Sequence, residues 1–309
     1  MLTRAHRRIR SLLREGGELR RRRLHLLPPT PAPRNAPEHH SLVAGADLHE
    51  EFGRIEFPIK FAYRNLKFIH VGKSGGSTIR WELLSAGIQL EEYHVRKPIW
   101  RPEYWYFIWI RNPLHRFVSA FNFSKEIIAF DLSSCDGEKL TMNNCPAPHY
   151  IQHRFDHGYA FEPSYDGLLS SFSSPNALAE SLTSNNRKLR QSAHALMRHR
   201  QGHIYKGLGW YLDNGAFVRN FRNQLLFVGR LEHFNEDLAR LADKVALPLA
   251  NSSRPTHKRK GNTQLPRDLS TKGLDNVRKF YEPYDYAALR ALLKHGFISQ
   301  EHFEQYREF

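Results

Sequence analysis

Within FIHVGKSGGSTI, residues 68–79, one cation, three hydroxyls and two glycines follow each other as Lys73-Ser74-Gly75-Gly76-Ser77-Thr78. The apolar start reads as a buried strand and the end as the opening of a helix. Such a turn suits three chemistries. A nucleotide loop of the G-x-x-x-x-G-K-[ST] type needs its first glycine at position 67, which is Lys67, so the ATP or GTP version fails. A nucleophile elbow is satisfied on pattern, because Gly72-Lys73-Ser74-Gly75-Gly76 reads G-x-S-x-G and would make Ser74 the nucleophile of an α/β-type serine hydrolase. Against it, little of the folded chain precedes the motif and no HGGG-like segment lies upstream. An anion cradle is the third reading: glycines let backbone N–H groups approach, the helix adds its positive end, and Lys73, Ser74, Ser77 and Thr78 donate. A plain glycine turn with capping hydroxyls has the same local pattern.

A second segment, FIWIRNPLHRFVSAFNF, residues 107–123, puts Arg111 at the end of an apolar run and Ser119 nearly two turns into a helix begun at Pro113, with Arg116 turned elsewhere. An arginine at the C-terminal edge of a strand stands where α/β sheets bind ligands, and its planar fork suits a phosphate. Taken alone, Arg111 could equally cap its strand and Ser119 pack as a small residue.

The elements that must position these residues are legible in outline. Strand-like segments run over 65–71, 105–110 and 225–228. Helices are expected from Gly76 with a stop near Gly87, from Pro113 onward, and over 177–184, 234–244, 274–281 and 286–295. Strands alternating with helices predict an α/β fold with a central parallel sheet flanked by helices. Residues 1–45 read as a basic tail and proline-rich linker (PPTPAPRNAPEHH), 46–309 as one domain, and 131–175 as an irregular insertion, with acceptor loops expected within 131–210.

The chain has 309 residues and a net charge of +15, of which residues 1–40, with ten arginines and three glutamates, hold +7. The remaining excess predicts anionic partners for the folded part. The tail suggests contact with a membrane surface, and a non-catalytic polyanion-binding protein is an alternative to any enzyme. No run of eighteen apolar residues or signal peptide is seen, which predicts a cytoplasmic protein, or a Golgi one if the source is eukaryotic and the N-terminus incomplete. Cys135 and Cys145 are the two cysteines, paired or free.

Together the two motifs resemble those of PAPS-dependent sulfotransferases, most closely the membrane-type carbohydrate sulfotransferases that include the 2-O-sulfotransferase group. FIHVGKSGGST is similar to the family's 5′-phosphosulfate segment F-x-H-V-x-K-x-G-G-x-[ST], and RNPLHRFVS to its 3′-phosphate segment R-[DN]-P-x-x-R-[FL]-x-S. Looser echoes are LFVGRLE (226–232) with Glu236-Asp237-Leu238, and FYEPYDY (280–286). One departure is Gly72, where a proline is usual. The resemblance implies a P-loop NTPase-like sulfotransferase fold that binds PAPS as co-substrate and sulfates a hydroxyl of a carbohydrate or glycoconjugate. Lys73, Ser74, Gly75, Gly76, Ser77 and Thr78 would wrap the 5′-phosphosulfate. Arg111 and Ser119 would hold the 3′-phosphate, joined by the late triplet Arg259-Lys260-Gly261. In-line transfer needs a cation on the leaving oxygen and a base on the acceptor. Lys73 is the expected cation and His94 the expected base, with Glu82 and Glu92 as fallbacks.

Other constellations are weaker. His149 and His153 have zinc-helix spacing without the glutamate, and His153 and His157 bracket Arg154 and Asp156 as a charged patch, so no metal is expected. Trp210 and Tyr211 suit either sugar stacking or the core.

Overall fold

The computed structural model describes residues 65–129, 163–247 and 265–309. Four strands form one sheet: β1 (Leu66–His70), β2 (Glu91–His94), β3 (Trp105–Ile110) and β4 (Leu225–Arg230). Their order is β2-β1-β3-β4 and every pairing is parallel. Parallel strands need crossovers, and α1 (Gly76–Ser85) and α2 (Pro113–Ala129) follow β1 and β3 directly. Further helices are α3 (Pro163–Ser170), α4 (Pro175–Ser181), α5 (Arg187–Met197), α6 (Gly202–Tyr205), α7 (Leu208–Tyr211), α8 (Ala216–Phe221), α9 (Phe234–Val245), α10 (Thr271–Tyr281), α11 (Asp285–Lys294) and α12 (Gln300–Gln305). These residues lie within one unit, Arg54–Phe309, and none of their helices is long and apolar enough to cross a membrane.

The sheet is covered on both faces, which explains why β1, β3 and β4 read as continuous apolar runs. On one face Phe68, Phe107 and Trp109 pack against Ile79 and Leu83 of α1 and Leu238, Leu241 and Val245 of α9. On the other, Ile69, Tyr93, Ile108 and Ile110 meet α2, α10 and α11 through Leu114, Phe117, Phe121, Val277 and Tyr286. The result is a three-layer α/β/α arrangement, as the alternation of elements predicts. Gly87 ends α1 as expected, with φ 73°: its own N–H bonds Leu84 O (3.0 Å) and Ile88 N–H bonds Leu83 O (2.8 Å), a Schellman closure.

Some elements differ from expectation. β2 carries no strand pattern in its sequence, because EEYH buries only Tyr93 deeply. Lys67, the residue that excludes the ATP-type loop, pins this strand: it pairs with its register partner Glu91 at 3.1 Å and lies over the Tyr104 ring. Part of the segment expected to be irregular is helical, since Tyr165, Leu169 and Phe172 recur at helical spacing in α3 and just after it, all fully buried. Helix α5 has a weak signature in the sequence, because its buried Ala193, Leu196 and Met197 lie among charged residues. Cys135, Cys145 and the histidines at 149, 153 and 157 lie outside the described residues.

Two buried charge pairs join the layers. Arg116 of α2 lies 3.3 Å from Asp285 of α11, both essentially without exposure, and Arg116 also donates to the His203 carbonyl (2.6 Å). Asp285 accepts from Gly209 N–H at 2.9 Å. Removing one partner strands the other charge, so Asp285→Asn should destabilise the protein by about 3–5 kcal/mol in urea denaturation. The second pair is at the end of β4, where Asp237, fully buried, accepts from the Arg230 backbone N–H and Nε (both 2.8 Å) and from Nη2 (2.8 Å). Burial pushes the Asp237 carboxyl up, but the Arg230 bonds and charge outweigh it and hold the group below its ordinary value. A depressed carboxyl contributes stability that is complete above its unfolded pKa and lost as pH falls through the lower folded one. Denaturation midpoints of the wild type should therefore drop below about pH 4 by more than those of Asp237→Asn.

Candidate functional site

The loop from Val71 to Gly75 leaves the C-terminal edge of β1 through an unusual backbone. Ser74 N–H bonds Val71 O at 3.2 Å, and Lys73 and Gly75 both take positive φ, 70° and 85°. At Gly75 the left-handed conformation costs a glycine nothing, whereas at Lys73 it costs roughly 1–2 kcal/mol. Arg111, at the end of β3, offsets that strain by donating from Nη1 to the Lys73 carbonyl at 3.2 Å. The two motifs therefore touch. Gly72 accounts for the departure from the family's proline: a Cβ there would come within 2.1 Å of the His203 imidazole, so only hydrogen fits.

The predicted phosphate donors gather around this loop. Ser74 is fully buried and its Oγ has no hydrogen-bond partner among the described residues, while Ser77 is exposed and Thr78 half-buried in the first turn of α1, which carries no acid. The Lys73 ammonium lies over the Phe123 ring, 3.9 Å from its centroid. Ser119 and Phe123 are one turn apart on α2, and both are half-buried. Arg111 is held below its ordinary pKa by burial and by Arg116 and Arg267, against the pull of Glu232. It remains a cation, and Arg267 adds a second positive charge that sequence reasoning missed. Arg259, Lys260 and Gly261 lie outside the described residues.

His94 ends β2 beside the loop. Its ring stacks on His70, centroids 4.0 Å apart, and on its other neighbour His203 tilts at 5.2 Å. His94 Nδ1 lies 3.3 Å from the His70 carbonyl, which only accepts, so Nδ1 carries the proton and Nε2 is the basic nitrogen. Burial, then the His70, Lys73 and Lys206 charges, hold His94 well below the ordinary histidine pKa; the carbonyl bond opposes them only in part. His203 is likewise depressed, by burial first and then by His94, Lys73, His70 and Arg116. Both imidazoles are neutral at pH 7. Of the fallback bases, Glu92 is engaged by His70 Nδ1, and Glu82 lies on α1.

The backbone just beyond His94 is strained as well. Val95 has φ 51°, rare for a β-branched residue. Tyr211 OH accepts from Val95 N–H (3.0 Å) and Lys206 Nζ donates to Val95 O (3.2 Å). Tyr211 is thus a core residue with a positioning hydroxyl, whereas Trp210 is half-buried in a cleft with Lys97, Tyr205 and Tyr284. Lys206 and Lys97 both lie over the Trp210 ring, at 5.4 and 5.6 Å.

No protein-family model, curated protein or solved structure matches the chain. Its site is therefore read from geometry. A turn rich in donors, Arg111 with the Arg267 charge beside it, and a neutral imidazole gather at the C-terminal edge of one parallel sheet. His70, His203, Lys206, Phe123 and Arg267 join the predicted set. His70 and Phe123 lie in the two quoted segments; His203, Lys206 and Arg267 come from segments with no local signature.

Because the His203 ring is itself buried, Gly72→Ala should cost about 1–3 kcal/mol by overpacking. The double variant Gly72→Ala/His203→Ala should recover most of it, a coupling readable in a double-mutant cycle of urea midpoints.

Proposed function

We propose that the protein is a PAPS-dependent sulfotransferase that moves the sulfuryl group to a hydroxyl of a carbohydrate or glycoconjugate. The observation that carries the reading is the Arg111–Lys73 contact, which brings the two phosphate-type motifs into one site beside a neutral histidine. In this reading Lys73 Nζ, Ser74, Ser77, Thr78 and the backbone of Gly75 and Gly76 bind the 5′-phosphosulfate. Arg111, Ser119 and Arg267 bind the 3′-phosphate. His94 Nε2 takes the acceptor proton as the hydroxyl oxygen attacks sulfur, and Lys73 neutralises the oxygen that leaves on phosphate. We assign the acceptor to the side of His94 where Lys206 lies over the Trp210 ring.

The hydrolase reading needs Ser74 Oγ within hydrogen-bond reach of a base. The buried Oγ makes no hydrogen bond to any described residue, which favours a donor role. A polyanion binder would depend on the 1–40 tail.

Calorimetric titration separates these readings. PAP should bind tightly, adenosine 5′-phosphosulfate weakly and ATP least. Equal affinity for all three, or none, would reject the cofactor class. Lys73→Ala and Arg111→Ala should each lower sulfuryl transfer at least ~100-fold while circular dichroism stays native, as expected for loss of a transition-state charge contact. His94→Ala should lower kcat by about 10²-fold or more with PAP affinity retained.

A further inference from the structure

The edge of the sheet carries a second chemistry that sulfuryl transfer does not use. His70, Glu92 and His94 each bring one metal-capable atom to within 4.8 Å of the other two. Strand geometry produces the cluster. Glu92 and His94 are two residues apart on β2 and so share a face, and His70 is the register partner of His94 on the adjacent strand. The ladder between β1 and β2 holds all three backbones in place, and His70 also lies against the backbone of Gly76 at the head of α1.

The donor set is selective. Two imidazoles and one carboxylate suit Zn²⁺ and neighbouring first-row divalent ions, whereas Mg²⁺ and Ca²⁺ want oxygen ligands. His94 already donates Nδ1–H to the His70 carbonyl, the outer contact that orients a ligating imidazole and leaves Nε2 for the metal. His70 Nδ1 meets the Glu92 carboxylate directly, so an ion there displaces the proton they share, which passes to solvent. Each donor atom needs to close by less than about 1 Å to reach the ~2.0–2.2 Å typical of zinc, a movement side-chain rotation supplies. The positive groups that face the cluster are Lys73 and Lys206, felt by His94, and Arg80, 3.8 Å from Glu92. They oppose a cation and limit its affinity without removing the ligands.

We propose that His70, Glu92 and His94 form a binding site for Zn²⁺ or a similar first-row divalent ion, and that its occupancy withdraws His94 from proton transfer. Metal capture stands on the geometry; the inhibition rests on the sulfotransferase reading.

The test uses the full chain stripped of metal with a chelator. Co²⁺ alone is titrated while its visible d–d absorption is followed, and Zn²⁺ alone is titrated by calorimetry. One ion per chain is expected, with an intense four- or five-coordinate Co²⁺ spectrum. Glu92→Gln and His94→Asn should each weaken Zn²⁺ binding at least ~10-fold, the loss that even outer-sphere partners of a metal produce. His94→Asn sits at the strand end and keeps the His70–Glu92 contact, so it serves as the variant that stays folded. No saturable binding, or binding unchanged in both variants, overturns the site. So does binding that is lost instead in His149→Ala/His153→Ala. Zn²⁺ inhibition of sulfuryl transfer that a chelator reverses supports the second half of the proposal. Metal binding by a protein that transfers no sulfuryl group when metal-free upholds the site and rejects the enzyme reading.

Discussion

Arg116 is a charge buried in the first turn of α2, and the arrangement of the site depends on its pairing with Asp285. An isolated ion at that depth would be prohibitively costly, so α11 must bring its carboxylate to α2. Gly207 and Gly209 leave the space for this approach, since a Cβ on either would collide with Asp285 or its neighbours. The guanidinium then takes the His203 carbonyl and so fixes the segment that carries the His203 ring. That ring presses on Gly72 and tilts against His94. One ion pair thus sets the packing behind the loop and beside the histidine.

Strain and charge are concentrated where the chemistry is read. Lys73 and Val95, both at positive φ without being glycine, flank the same space, and each is held by a bond from another element. Backbone held in such conformations persists only when its surroundings over-determine it, and it clusters at functional sites. Lys73, Lys206, Arg111 and Arg267 make this edge positive; beside burial, Lys73 and Lys206 help keep His94 neutral, and Lys73 and Arg116 help keep His203 neutral. An anion is therefore attracted to a place where an imidazole is free to accept a proton. In the proposed metal site the His94 imidazole, with His70 and Glu92, is also a ligand, so proton transfer and metal capture would compete for its one lone pair.

How much was legible differs by element, for physical reasons. β1 and β3 were readable because strands buried on both faces are mostly apolar, with Lys67 and His70 the exceptions in β1. Lys73 and Arg111 stood out because their types sit at strand ends, where a parallel sheet presents ligand-binding groups, whereas His94 is named only through the resemblance. β2 was not readable as a strand: at the edge of the described sheet it has one neighbour, and only Tyr93 had to be apolar. α3 and α5 were hidden because a half-buried helix needs only a narrow apolar stripe, and polar residues fill the rest.

The amino-acid sequence by itself determined the α/β alternation, the donor-rich turn after β1 and the arginine after β3, because each follows from local periodicity and residue type. It also determined that an ATP-type loop is excluded, since Lys67 stands where a glycine is required. Only the tertiary structure decided that Arg111 reaches the Lys73 carbonyl, that His203 occupies the space a proline at position 72 would need, and that His70, Glu92 and His94 converge. Those contacts join residues far apart in the chain. They exist because parallel pairing and the Arg116–Asp285 pair bring the strand ends and the α6 segment together, and no local pattern records that distance.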